Sequence, residues 1–319
     1  MSILTQTFKN FINSTTSAKN EFSKEDIIKS YAYNSSMGNI RNYNEDTITV
    51  EKINNNFYFF ALYDGHGGNC CSLYLKNNLH KKLDSFSKES LKNAIEKSES
   101  EFLKNEAIDI NNDNMIKDYS GSCGIMAMIQ NKKLIIANVG DSRIVIYKKG
   151  KVEFVTEDHK PDSEKEKKRI NLAGGEIYQN QTIMPLYQNG RKIEIPWRVI
   201  PGRLSVSRTF GDIEAKEEKY GGKKGVVVAE PDIYEMEIDN DYNFMIIGCD
   251  GIFDVLSNEE LLDCLKIVYE DKKIKDVNNV DMEELCGDFA GMIIKSAMAK
   301  DSFDNVSCIV VIFSLNNIF

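Results

Sequence analysis

Histidine is scarce in this chain: His66, His80 and His159 are the whole supply. No H-E-x-x-H pattern occurs, which argues against a His-based zinc site. Cysteine is odd in number. Cys70, Cys71, Cys123, Cys249, Cys264, Cys286 and Cys308 contain no C-x-x-C pair, so neither a disulfide framework nor a zinc knuckle is indicated. A reducing, intracellular setting, cytoplasmic or nuclear, is the expectation. Long apolar runs are missing, and a stretch such as 308–313 is far too short to span a bilayer. Residues 1–10 lack the basic start and apolar centre of a secretory signal, and Ser2 breaks the N-myristoylation pattern. Positive charge is in deficit. With 40 Lys and Arg against 49 Asp and Glu, the net charge is -9. No basic surplus exists to neutralise a nucleic-acid backbone, so no nucleic-acid partner is expected. The chain also lacks a Walker-type phosphate loop, a G-x-G-x-x-G fingerprint and a G-x-S-x-G nucleophile turn. No cysteine is followed six residues later by arginine, so the cysteine-nucleophile phosphatase pattern is absent as well.

What is present fits a soluble globular protein with a sizeable core: 42% of residues are hydrophobic and 28% charged. Residues 1–28, rich in Asn, Ser, Thr and Lys, read as an N-terminal extension with at most one amphipathic turn. From about residue 30, strands dominate: SYAYNSS, DTITVEKI and FYFFALY. The last is almost continuously apolar, as for a strand buried on both faces. Two helical segments follow, with Leu75, Leu79, Leu91 and Ile95 at helical spacing and Ser87 as a helix start. Then come the strands CGIMAMIQ, KLIIANVG, RIVIYKK and KVEFVT, and a helix, SEKEKKRINLAGG, that stops at Gly174-Gly175. Residues 176–201 show no periodicity and read as a long loop. The strands VVVAE, IYEMEI and FMIIGCD, two helices, and the strand NVSCIVVIFS complete the chain. Strands in blocks with paired helices between them are not the alternation of a doubly wound parallel sheet. An α+β fold with two antiparallel-rich sheets and flanking helices fits better.

Five apolar strands carry a carboxylate at one end. Glu45 and Asp46 precede TITV, Asp64 ends FYFFALYD, Asp141 follows KLIIANVG, Asp250 ends FMIIGCD, and Asp304 precedes SCIVVIF. A single carboxylate at a solvated strand end means little. If all five ends meet at one edge, their mutual repulsion calls for cations. Hard divalent ions such as Mg²⁺ and Mn²⁺ suit an oxygen-rich site. LYDGHGG, at 62–68, reads as a strand that stops at a turn, with Asp64 and His66 presented there.

In these residues the chain resembles the metal-dependent Ser/Thr protein phosphatases of type 2C. The matching stretches run in the family's order: RNYNED at 41–46, YDGHGG at 63–68, SGSCG at 120–124, NVGDSR at 138–143 and EDHKP at 157–161. RINLAGG at 169–175, GRLSVSRTFGD at 202–212, AEPDI at 229–233, CDGIFDVLSNEE at 249–260 and DNVS at 304–307 follow. The resemblance implies a four-layer α-β-β-α sandwich, two antiparallel β-sheets flanked by helices, over a catalytic domain at 29–319 with 176–201 as a flap-like loop. It implies two Mn²⁺ or Mg²⁺ ions per site and a weaker third position. Asp64 would bridge the pair, Asp250 and Asp304 would hold one ion, and Glu45 with the Gly65 carbonyl the other. Asp141 with Asp250 would form the third position. Asp46 would orient water, Arg41 would bind the substrate phosphate, and His66 would be the general acid. The activity implied is hydrolysis of phosphoserine and phosphothreonine esters, by a metal-activated hydroxide attacking phosphorus in line without a phosphoenzyme. Phosphorylated proteins are then the expected partners of a monomeric enzyme.

Each residue also has a plainer reading. Arg41 alone could be a surface arginine and His66 a turn histidine, and Asp141 could cap a turn through Ser142 or Arg143. His159 and Asp212 read as structural, with contact to the third metal position as the other reading of Asp212. Cys123 and Gly124 stand where the family usually has Thr and Ala, and a packing change alone is expected. A binding protein on the same fold should have lost metal carboxylates, and none is lost here. A hydrolase of another phosphate ester is separated only by the 176–201 segment.

Overall fold

The computed structural model describes residues 16–17, 27–109, 112, 115–180, 187–188, 191–192, 195–272, 280–316 and 318. Most of the N-terminal extension, including its expected amphipathic turn, lies outside the described residues, as do parts of 181–194. Ten strands form the frame: β1 Ser30–Ser36, β2 Thr47–Ile53, β3 Phe57–His66, β4 Gly121–Gln130 and β5 Lys133–Val139, then β6 Arg143–Lys148, β7 Lys151–Val155, β8 Asp232–Glu237, β9 Tyr242–Gly248 and β10 Val306–Ile312. Five helices flank them: α1 Cys70–Asn78, α2 Lys88–Glu101, α3 Glu164–Leu172, α4 Asn258–Asp271 and α5 Met282–Ala299.

One sheet runs β1-β10-β9-β6-β7, with Thr16–Ser17 added beside β1; the other runs β8-β5-β4-β3-β2. All these neighbours are antiparallel. Side-chain alternation sorts the core into three layers. Phe60 and Leu62 of β3 join Ile144, Ile146, Met245, Ile247 and Ile309 between the sheets. Phe59, Ala61 and Tyr63 face the other way, onto Cys71, Leu75, Leu91 and Ile95 of α1 and α2. Val145, Phe244, Ile246 and Val310 pack outward on Leu261, Leu265, Leu285 and Phe289 of α4 and α5. These layers make the four-layer α-β-β-α sandwich.

The helix starts have chemical causes. Ser87 Oγ accepts from Ser90 N at 3.1 Å ahead of α2. Ser257 and Glu260 form a reciprocal capping box ahead of α4. Asp281 Oδ1 accepts from Glu283 N and Glu284 N, both at 3.0 Å, ahead of α5.

Three expectations need correction. The strand read as ending at Asp64 continues to His66, because Asp64, Gly65 and His66 stay paired with Cys123, Ser122 and Gly121 of β4. VVVAE forms no strand; Val226 and Val227 instead pack on Ile170 of α3. The 176–201 segment is not wholly irregular: Glu176–Gln179 pairs antiparallel with Trp197–Ile200 in a separate ribbon.

Candidate metal centre

The sheet registers bring the carboxylates together. β2 pairs with β3 only as far as Thr47 opposite Tyr63, so Asp64 lies just past the end of its neighbour. Gly65 permits this crowding, since a Cβ there would sit 2.5 Å from the Glu45 carbonyl oxygen and 2.8 Å from Ser72 Oγ. Asp141 follows β5, and Asp250 opens a single helical turn, Asp250–Phe253, directly after β9. One ligand oxygen from each of Asp64, Asp141 and Asp250 lies within 4.8 Å of the others. Asp141 is buried, while Asp64 and Asp250 keep a partial opening to solvent.

The electrostatics match this crowding. Burial, then Asp250, Asp46, Asp141 and Asp304, push the Asp64 carboxyl well above the ordinary range. Burial and then Asp141, Asp254 and Asp304 do the same to Asp250. Such carboxylates resist ionisation until a cation is supplied. The donor set is all oxygen, with no histidine in the group, so it fits a hard divalent cation.

The other expected residues surround this group. Glu45 Oε1 accepts from Gly68 N at 2.6 Å, and the Glu45 amide donates to Asn305 Oδ1 at 2.9 Å. Asn305 Nδ2 also donates to the carbonyls of Met37 and Tyr43, both at 3.0 Å. One side chain therefore stitches the β10 approach to the loop that carries Arg41. Arg41 Nη2 donates to Asp304 Oδ2 at 2.6 Å, with both side chains partly exposed. The residue expected to bind phosphate thus pairs with one expected to bind metal. Asp46 is buried and accepts from Ser307 Oγ at 2.6 Å. Its carboxyl is pushed up to about 7, mainly by burial, with Ser307 acting in the opposite direction.

His66 does not stand alone. Its Nε2 lies 3.0 and 2.9 Å from the two oxygens of Asp212. Gly121 makes room for the pair, because a Cβ there would meet Asp212 Oδ2 at 2.0 Å and His66 Nε2 at 2.4 Å. Burial opposes the imidazolium, but Asp212 outweighs it and raises the His66 pKa. Asp212, read from sequence as structural, is the partner that charges His66.

Lys160 has no assigned role from sequence, and Cys123 is expected to change packing alone. Lys160 Nζ pairs with Asp141 Oδ2. Cys123 Sγ donates to Asp141 Oδ1 at 3.2 Å, so the change to cysteine reaches the carboxylate cluster and is more than packing. Gly124 is a packing change, as a Cβ there would press on Phe210 at 2.8 Å. Asp141 caps neither Ser142 nor Arg143; Arg143 instead makes a two-pronged pair with Asp158 at 3.0 and 2.7 Å. His159 is structural, as expected: it is buried, its Nδ1 accepts from Gly140 N at 3.0 Å, and its amide donates to the Gly140 carbonyl at 2.9 Å. The signal for Lys160 was its place in EDHKP. Asp212 lies in GRLSVSRTFGD, but its pairing with His66 had no local signal, because the two stand 146 positions apart.

Comparison with known proteins agrees with this geometry. A family model described as Protein phosphatase 2C matches residues 32–306. "Probable protein phosphatase 2C 69" of Arabidopsis thaliana is 36% identical over 293 residues, spanning 89% of this chain and 70% of that one. "Protein phosphatase 1B" of Homo sapiens is 34% identical over 275 residues, spanning 80% of this chain and 50% of that protein. The crystal structure of a serine-threonine phosphatase 2C from Toxoplasma gondii shares the fold. Its TM-score is 0.68 at 18% identity, over 94% of this chain and 99% of that one. With a family match across most of its length and a relative of this similarity, the chain belongs to the protein phosphatase 2C family.

Proposed function

We propose that this metal-dependent serine/threonine protein phosphatase works through two Mn²⁺ or Mg²⁺ ions held at the sheet edge. Asp64 would be shared between them, with Asp250 and Asp304 on one side and Glu45 and the Gly65 carbonyl on the other. Asp141 with Asp250 would offer a weaker third position. The observation that carries this reading is the convergence of Asp64, Asp141 and Asp250 oxygens within 4.8 Å. The bound ions would supply charge neutralisation at phosphorus and a lowered pKa for water.

The chain's own residues do the rest. Arg41 leaves Asp304 to bind two oxygens of the substrate phosphate, which orients the ester and balances developing charge. Asp46, with its carboxyl at about 7, accepts a hydrogen bond from Ser307 and orients the attacking water. His66, kept protonated by Asp212, donates its proton to the departing serine or threonine oxygen. Residues 29–319 would form the catalytic domain, with 1–28 as an extension and 176–201 as the flap beside the site.

Turnover of a phosphothreonine peptide with and without Mn²⁺ tests this reading. Asp64→Asn is expected to lower the rate on the order of 10²–10³-fold, as when one electrostatic stabiliser is lost. Equal rates for the two proteins, or full activity in excess chelator, would overturn it.

A further inference from the structure

Lys160 is placed beside Asp141 by the backbone. The Gly140 amide donates to His159 Nδ1 at 3.0 Å and the His159 amide donates to the Gly140 carbonyl at 2.9 Å. These two bonds clamp the residues just before Asp141 and Lys160 against each other. The Ser207 amide donates to the His159 carbonyl at 2.9 Å, fixing the same point from the other side. His159 is buried at 1% exposure, so the clamp does not swing freely. Lys160 then reaches Asp141 Oδ2 with its ammonium, and Asp250 and Asp254 lie within electrostatic range of it. Asp141 Oδ1 is taken by the Cys123 thiol. Both oxygens of this carboxylate are therefore already engaged by the chain itself.

An ammonium and a divalent cation seek the same carboxylate oxygen and carry the same sign of charge. Both cannot hold Asp141 Oδ2 at full strength. We propose that Lys160 is a built-in competitor for the cation position at Asp141, and so sets how weakly that position binds. The ammonium neutralises Asp141 at low metal concentration. A divalent ion must displace it, and the freed ammonium has solvent to enter, because the Lys160 side chain is 36% exposed. By reciprocity, each ligand lowers the other's hold on Asp141 by the same factor. This rests on the metal-centre reading above and adds the residue that grades its weakest site.

Isothermal titration of the full chain with MnCl₂, paired with counting of bound Mn²⁺ by electron paramagnetic resonance, tests it without turnover. Lys160→Met removes the charge and keeps the stem. The weakest Mn²⁺ position is expected to tighten by about 5-fold or more, the usual size of such a coupling. Adding Asp141→Asn to Lys160→Met should erase the gain. Lys160→Gln provides the same comparison should the methionine variant fold poorly. Unchanged isotherms in a Lys160 variant, with Mn²⁺ still bound by the wild type, would overturn the Lys160 proposal alone. A gain that persists without Asp141 would also overturn it. Wild-type protein that binds no Mn²⁺ would overturn the metal-centre reading itself.

Discussion

Two groups of acidic side chains in this molecule have opposite electrostatic character. At the sheet edge, Asp64 and Asp250 are crowded by other carboxylates, and their pKa values are raised. Under α3, buried Glu166 accepts from Arg208 Nη2 at 2.6 Å, Arg169 Nη2 at 2.8 Å and Ser207 Oγ at 2.7 Å. Burial opposes the charge of Glu166, but Arg208 and Arg169 outweigh it and bring its carboxyl down to about 2. Asp232 is likewise lowered, with His159, Lys165 and Arg208 beside it. The second group carries its own cations and serves the fold. The first lacks enough of them, and that deficit is what an ion from solution can fill.

The largest effect should come from breaking the self-sufficient group. Glu166→Ala leaves Arg208 buried without its main partner and is expected to cost about 3–5 kcal/mol in urea unfolding. A loss under 1 kcal/mol would show that Asp232 alone can hold Arg208.

The deficient group should respond in the opposite direction. Asp250→Asn removes a buried carboxyl that must either ionise against its neighbours or take up a proton, and is expected to stabilise the metal-free protein by about 1 kcal/mol. Mn²⁺ at 100 times its dissociation constant should add about 2.7 kcal/mol to the wild type and clearly less to the variant. Thermal melts with and without Mn²⁺ separate the two effects. Destabilisation of the metal-free variant would remove the distinction between the groups.

The finest test is the pH profile of stability. Glu166 titrates near 2 in the fold instead of 4.5, so its contribution is present above 4.5 and is lost as pH falls toward 2. Asp46 titrates at about 7 instead of 3.8. Between those values the folded state holds the proton that the unfolded chain releases, so stability falls as pH rises. Urea midpoints of metal-free protein should therefore decline from about pH 4 to 7, and saturating Mn²⁺ should flatten that decline. A rise over the same range without metal would contradict the assignment to Asp46.

Much of this was legible in the chain. The continuous apolar run of FYFFALY was enough to place a strand buried on both faces, and each face meets its own core layer. The carboxylates at strand ends were legible for the same reason, since a strand end is a local feature. LYDGHGG shows the limit. Gly65 looked like a turn residue, yet it is a strand residue whose missing side chain admits the Glu45 backbone. VVVAE had strand composition, but Val226 and Val227 found burial against α3, and Val228 makes only an isolated bridge to Arg208. Local propensity yields wherever tertiary packing offers the same burial by another route.

The sequence by itself determined most of the element order, the inward faces of α1 and α2, and which residue types stand at the strand ends. Spacing along the chain is enough for those, because periodicity decides which side chains share a face. Only the tertiary structure decided who pairs with whom. His66 meets Asp212 from 146 positions away, Arg41 meets Asp304 from 263, and Asp46 meets Ser307 from 261. Such partners are set by sheet order and register, which no local pattern encodes. Charge at the centre therefore depends on neighbours that the chain brings in from its two ends.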